Sequence, residues 1–178
     1  RVSYFGGKFD WAQTQLDALK ASTSKLISND AIDLSLLITD NYALDTIAEP
    51  MERFAQAELL ALQHRYPEAE LALDSLLADW PGHALEDDIL FRKATWARLN
   101  GRFNEALVFL EEITALHFDD VLADDALYWR ATILENHLDR ATDALPLYEQ
   151  LLFDYPGSLH VIAARERFRA LSTEEEAG

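Results

Sequence analysis

The side chains that most often bind metals or move protons are sparse and poorly spaced in this chain. The five histidines are His64, His83, His117, His137 and His160. No two stand three or four residues apart, so no helix can present two imidazoles to one ion. Cysteine is absent, which removes disulfides and thiolate chemistry. Carboxylates are abundant, 32 Asp and Glu against 15 Lys and Arg, for a net charge of −17 over 178 residues. The clusters Glu86-Asp87-Asp88 and Asp119-Asp120 with Asp124-Asp125 lack the calcium loop with its central Gly and terminal Glu. Negative charge at helix starts accounts for them more simply. Carboxylate pairs suited to hydrolysis arise by chance in so acidic a chain and carry no weight. Neither a glycine-rich phosphate loop nor a nucleophile elbow occurs. The chemistry to expect is therefore recognition, with no enzymatic activity, no metal and no cofactor. So acidic a surface lacks the basic face that nucleic acid needs, so nucleic acid is not an expected partner. No run approaches the roughly 20 apolar residues that span a bilayer, so a membrane-spanning chain is not expected either.

The elements that must carry recognition are repeated. His64-Arg65-Tyr66-Pro67-Glu68-Ala69 aligns with Gly101-Arg102-Phe103-Asn104-Glu105-Ala106, 37 residues on. Asp139-Arg140-Ala141-Thr142-Asp143-Ala144 follows after 38 more, and Asp79-Trp80-Pro81-Gly82 is echoed by Asp154-Tyr155-Pro156-Gly157. Such a period signals stacked units, and a stack is a surface before it is a pocket.

Within the middle copy, Leu85, Ile89, Leu90, Ala94, Ala97 and Leu99 mark one face of a helix over 84–100, closed by Asn100-Gly101. Ala106, Leu107, Leu110, Ile113 and Leu116 mark a second helix from Phe103 to Leu116. Together they predict an antiparallel hairpin. The first copy predicts helices over 51–63 and from Pro67 to Asp79. The third predicts 121–136 and a helix containing Ala144 to Phe153, in which Pro146 either lies in the first turn, with Thr142 as N-cap, or kinks the helix. Residues 7–40 are a weaker echo, with one helix after Gly7 and another starting at Asn29. Residues 40–49 are expected to be a loop.

These units divide the chain into clear repeats at about 50–82, 84–120 and 121–157, a weaker one at 7–40, and a capping helix at 158–171 with Ser158 as N-cap. Together, 1–171 is expected to be a single array, and 172–178 a disordered acidic tail. The chain opens without methionine and partway through a repeat-like pattern. A piece of a longer protein, with the array continuing upstream, is the expectation.

In their details these residues resemble tetratricopeptide repeats. Ala57 pairs with Ala69, Leu73, Leu76 and Pro81. Ala94 pairs with Ala106, Leu110 and Ile113, with Phe118 in the place of Pro. Ala131 pairs with Ala144, Tyr148, Leu151 and Pro156, with one extra residue in the turn. The position before the small residue, normally Leu in that family, is Gln56, Lys93 and Arg130. The long period and the phrases Ala123-Asp124-Asp125-Ala126-Leu127-Tyr128-Trp129 and Leu152-Phe153-Asp154-Tyr155-Pro156-Gly157-Ser158 are similar to a longer-loop subgroup. It includes bacterial outer-membrane assembly lipoproteins and coordinators of the Tol system.

The resemblance implies an all-α fold, an α-α superhelix formed as a right-handed solenoid of antiparallel helix hairpins. It implies a non-enzymatic scaffold that binds a protein or peptide within a larger assembly, in the bacterial periplasm or cell envelope, with the cytoplasm as the alternative. The alternative function is a helical accessory region of an envelope enzyme or assembly machine whose activity lies upstream. The family's groove positions fall here on Phe54, Glu58 and Leu62, on Phe91, Thr95 and Arg98, and on Tyr128, Thr132 and Glu135. The Lys and Asn set that clamps a terminal carboxylate is missing. A partner segment with apolar anchors and basic flanks is expected instead. Packing between units is the competing role for Phe54, Phe91 and Tyr128. Lys93 and Arg130 are expected to pair with Asp87, Asp88, Asp124 or Asp125. The final helix, with Arg165, Arg167 and Arg169 against Glu166, is expected to rest on acidic neighbours.

Overall fold

A computed structural model describes residues 1–22, 25–42 and 47–177. Among them the chain is all-α, with ten helices: α1 (Val2–Phe5), α2 (Phe9–Ser22), α3 (Lys25–Asn41), α4 (Glu49–Leu62), α5 (Tyr66–Asp79), α6 (Glu86–Leu99), α7 (Phe103–Leu116), α8 (Ala123–His137), α9 (Ala141–Asp154) and α10 (Val161–Ala177). The sequence suggests one array over 1–171. The structure divides into two compact units, Arg1–Ile89 and Leu90–Gly178.

In the first unit α2 packs on α3, α4 on α5, and the short α1 on both α2 and α4. Tyr4, Phe9, Met51 and Phe54 are its large buried side chains. Tyr4 meets Phe9 edge-on, and Phe9 meets Tyr42 with ring centroids 4.8 Å apart. The side-chain amide of Gln56 donates to the Phe5 carbonyl at 2.9 Å, fixing the end of α1 to α4.

In the second unit Leu90, Ala94 and Ala97 of α6 share a core with Ala106, Leu110 and Ile113 of α7 and with Ala126 and Ile133 of α8. Leu127, Ala131 and Leu134 turn the other way, toward Ala144, Tyr148 and Leu151 of α9 and Ala164 and Leu171 of α10. Thus α8 carries two apolar faces, as an internal helix of a stack must. Ala57, Ala94 and Ala131 are fully enclosed. A methyl group at each lets the neighbouring helix approach closely.

The period is visible as a repeated set of bonds. Each hairpin turn contains one residue with positive φ: His64 at 61°, Gly101 at 71° and Asp139 at 54°. Arg65 N–H reaches back to the Leu60 carbonyl, and Arg102 N–H to that of Ala97, closing the two helix ends alike. Arg140 N–H reaches Leu134, one residue further, which is the extra residue of the third turn. The same three arginines are the N-cap residues of α5, α7 and α9. Each then pairs with an acid in the first turn: Arg65 with Glu68 at 3.1 Å, Arg102 with Glu105 at 3.0 Å and Arg140 with Asp143 at 2.6 Å. Backbone hydrogen bonding and Arg65 together hold the Glu68 carboxyl below its usual range. At the far ends Trp80, His117 and Tyr155 cap the same helices with extended φ values of −131°, −123° and −124°.

Several boundaries differ from expectation. Helix α3 starts at Lys25 rather than Asn29 and runs on to Asn41, so Asp40 and Asn41 are helical. Asn41 belongs there because its buried amide donates to the Leu37 carbonyl at 3.1 Å and to Asp88 Oδ2 at 2.7 Å. Of the loop expected over 40–49, residues 43–46 lie outside the described residues, and Glu49 already begins α4. Thr142 is not an N-cap. Helix α9 begins at Ala141, and Pro146 stands past the first turn, inside the helix. There it leaves the Thr142 carbonyl without its helical N–H. Ser158 lies ahead of α10, where its hydroxyl accepts from the His160 N–H at 3.1 Å. The tail expected to be disordered from residue 172 is helical through Ala177, for Glu and Ala are strong helix formers and no Gly or Pro intervenes.

Candidate partner-binding face

The expected groove residues fall in both units. In the first unit, Phe54 is corrected: it is fully buried and belongs to the core. Glu58 is half-buried and accepts a 2.6 Å hydrogen bond from the Tyr4 hydroxyl. Leu62 stands 61% exposed at the end of α4.

In the second unit the expected residues come together on the first helices of the hairpins. Phe91, Thr95 and Arg98 follow at steps of four and three on α6, so they share one face. Trp129 of α8 contacts two of them. Its ring centroid lies 4.6 Å from that of Phe91. The Arg98 guanidinium carbon stands 4.5 Å above the same ring. Thr95 and Thr132 turn their hydroxyls inward, donating to the carbonyls of Phe91 at 2.8 Å and Trp129 at 3.1 Å.

Next to this, Tyr128 stacks on His160, with centroids 4.1 Å apart and planes 5° from parallel. The His160 ring nitrogen Nε2 meets Asp125 Oδ1 at 2.5 Å. Glu135, whose side chain is only 7% exposed, accepts from the Tyr148 hydroxyl at 2.7 Å and pairs with Arg167 of α10. Burial, and then the bond to Glu135, pushes the Tyr148 hydroxyl far above its usual value. So α10 rests on acidic Glu135 of α8 through Arg167, and His160, just ahead of α10, reaches Asp125. The arrangement is a half-buried aromatic surface whose side chains are largely held by their neighbours. Among the described residues no group of three or more His, Asp or Glu could hold a metal ion.

Arg130, one of the two cations at repeat-equivalent positions, is placed differently from expectation. Arg130 pairs with Glu111 at 3.0 Å and donates to Thr114 Oγ1 at 2.7 Å, both on α7, rather than with the aspartates at helix starts. Burial pulls its guanidinium below the usual value, and Glu111 pulls it back. The ammonium of Lys93 stands 4.5 Å over the Phe109 ring. A long side chain on the inner helix reaches the flank of the facing helix more readily than a helix start one unit away.

Residues 125–158 match the sequence profile of the tetratricopeptide repeat. This segment is a tetratricopeptide repeat. It runs from the first turn of α8 through α9 to the residues that precede α10, and it contains Tyr128, Thr132 and Glu135. No curated protein matches the chain. The two hairpins before the repeat have the same arginine N-caps as the repeat itself, with turn bonds that reach one residue less far back. Among the described residues no helix is long and apolar enough to cross a membrane.

The sequence pattern did not assign Trp129 or His160 to this face, and it gave no partner for Arg167. Trp129 adjoins Tyr128 and would sit about 100° around the helix from it, on the side of the preceding hairpin. Helical phase therefore carried a signal for Trp129. For His160 and Arg167 it did not, since their partners lie more than thirty residues away.

Proposed function

We propose that the protein is a non-enzymatic scaffold that binds a protein or peptide partner through the α6, α8 and α10 face of its second unit. What supports this reading is the aromatic surface built from Phe91, Trp129 and Tyr128, each half-buried and held by a stacked neighbour. Rings fixed in this way can add contact area without losing much conformational freedom on binding. Tetratricopeptide repeats suggest the same role.

The partner carries apolar anchors and basic flanks, because the chain bears a net charge of −17. It belongs to a multi-protein assembly of the bacterial cell envelope. That location rests on the long repeat period and its resemblance to envelope repeat proteins. Fractionation of cells expressing the full-length protein tests it, and recovery in the cytosol alone refutes it. The binding claim is tested by alanine substitution at Phe91 and Tyr128. Both variants should keep their helical circular dichroism and lose the partner captured by the wild type. Capture undiminished in both overturns the reading.

A further inference from the structure

Arg98 differs from four other arginines of the second unit. Arg102, Arg130, Arg140 and Arg167 each reach a carboxylate. Among the described residues none pairs with Arg98, whose contact is the face of Trp129 at 4.5 Å. Its Nε is enclosed and has no hydrogen-bond partner. An enclosed donor without an acceptor is uncommon enough in folded proteins to need a reason. The charge is also unusual in its setting, a cation left without an anion in a chain with more than twice as many acids as bases.

Trp129 orders the plane of the guanidinium, and its own ring is in contact with that of Phe91. With Nε enclosed, the two terminal nitrogens form the edge that an anion can approach, and that edge matches the spacing of carboxylate oxygens. A guanidinium already ordered by stacking loses little freedom when it binds.

From this we propose that Arg98, seated on Trp129, is an anchor for a single carboxylate side chain in the partner segment. The proposal rests on the reading of this face as a binding surface and specifies what binds there. The net charge of −17 decides the class of anion. One negative charge placed between basic and apolar residues satisfies Arg98 without adding to the repulsion from the surrounding acids. A phosphate dianion meets twice that repulsion. The recognised segment is thus one acidic residue within basic and apolar flanks.

The test uses the full chain labelled with nitrogen-15 and two acetylated, amidated peptides of alternating lysine and leucine. One carries a central glutamate, the other a glutamine. The Arg98 Nε–H and Trp129 indole resonances are followed at constant ionic strength. The glutamate peptide should move both resonances saturably and bind about tenfold more tightly than the glutamine peptide, as expected for a charge-assisted pair. In Arg98→Gln the two peptides should bind alike, and Arg98→Lys should recover only part of the preference. Equal binding of both peptides to the wild type overturns the anchor but leaves the binding face standing. Failure of both peptides to move either resonance overturns the anchor too. Inorganic phosphate moving these resonances at lower concentration than acetate overturns the assignment to a carboxylate. A purely structural role for Arg98 predicts that Arg98→Gln lowers the melting temperature while the glutamate preference persists, which also refutes the proposal.

Discussion

At the scale of single residues, the hairpin turns separate backbone demand from side-chain identity. The same left-handed position is filled by His64, Gly101 and Asp139. Glycine adopts that conformation freely, whereas a residue with a Cβ is strained there by about 1–2 kcal/mol. His64→Gly should therefore raise stability, by about 0.5 kcal/mol after the greater freedom of the unfolded chain is offset. Gly101→Ala should lower it by about 1–2 kcal/mol. Urea unfolding measures both, and a stabilising Gly101→Ala would contradict the turn assignment.

Tyr148 gives the second residue-scale prediction. Its hydroxyl donates to the nearly enclosed Glu135, and burial pushes its pKa far above the usual value near 10. The fold thus favours the protonated form. Its stabilising contribution is fully present below about pH 10 and is lost as pH rises above that value. Tyr148→Phe should cost about 1–3 kcal/mol at neutral pH, because Glu135 loses a donor. It should also unfold less steeply with alkali than the wild type does. Thermal melts between pH 8 and pH 11 compare the two slopes.

At the scale of elements, the small residues set how near the helices come. Ala57, Ala94 and Ala131 have no exposed surface. Enlarging any one to leucine forces its neighbours apart, at a cost of about 1–3 kcal/mol or more. Chemical denaturation of Ala94→Leu and Ala131→Leu should show earlier midpoints, whereas an unchanged midpoint would mean that the hairpins do not pack closely there.

The hairpins were the most legible part of the sequence. Helix α7 was expected and found from Phe103 to Leu116 because Gly101 and a four-three spacing of leucines bracket it. Pro146 was harder, since a proline reads as a boundary until packing on both sides carries the helix through it. The end of α3 was hidden for a similar reason. Asn41 is polar and looks like loop, yet Asp88, far along the chain, holds its side chain. Of the expected groove, Phe54 shows the limit of carrying positions from one unit to another. The pattern marks a ring, and only the local neighbours decide whether it faces the core. The stacking of Tyr128 on His160 was invisible for the same reason, because it depends on which residue the next helix happens to bring.

At the scale of the whole molecule, the excess of acids governs how the protein meets others. Association with a basic-flanked partner should be fast at low salt and weaken as ionic strength rises, mainly through the on-rate. Surface plasmon resonance across a salt series reads this, and salt-independent association would point to a neutral partner. The most direct test of the central claim is quantitative capture of a partner by the wild type and by the Phe91→Ala and Tyr128→Ala variants, with thermal melting run in parallel. Loss of the partner from both variants while melting remains cooperative is the predicted result. Undiminished capture by both, with the fold intact, would contradict a binding face on α6 and α8.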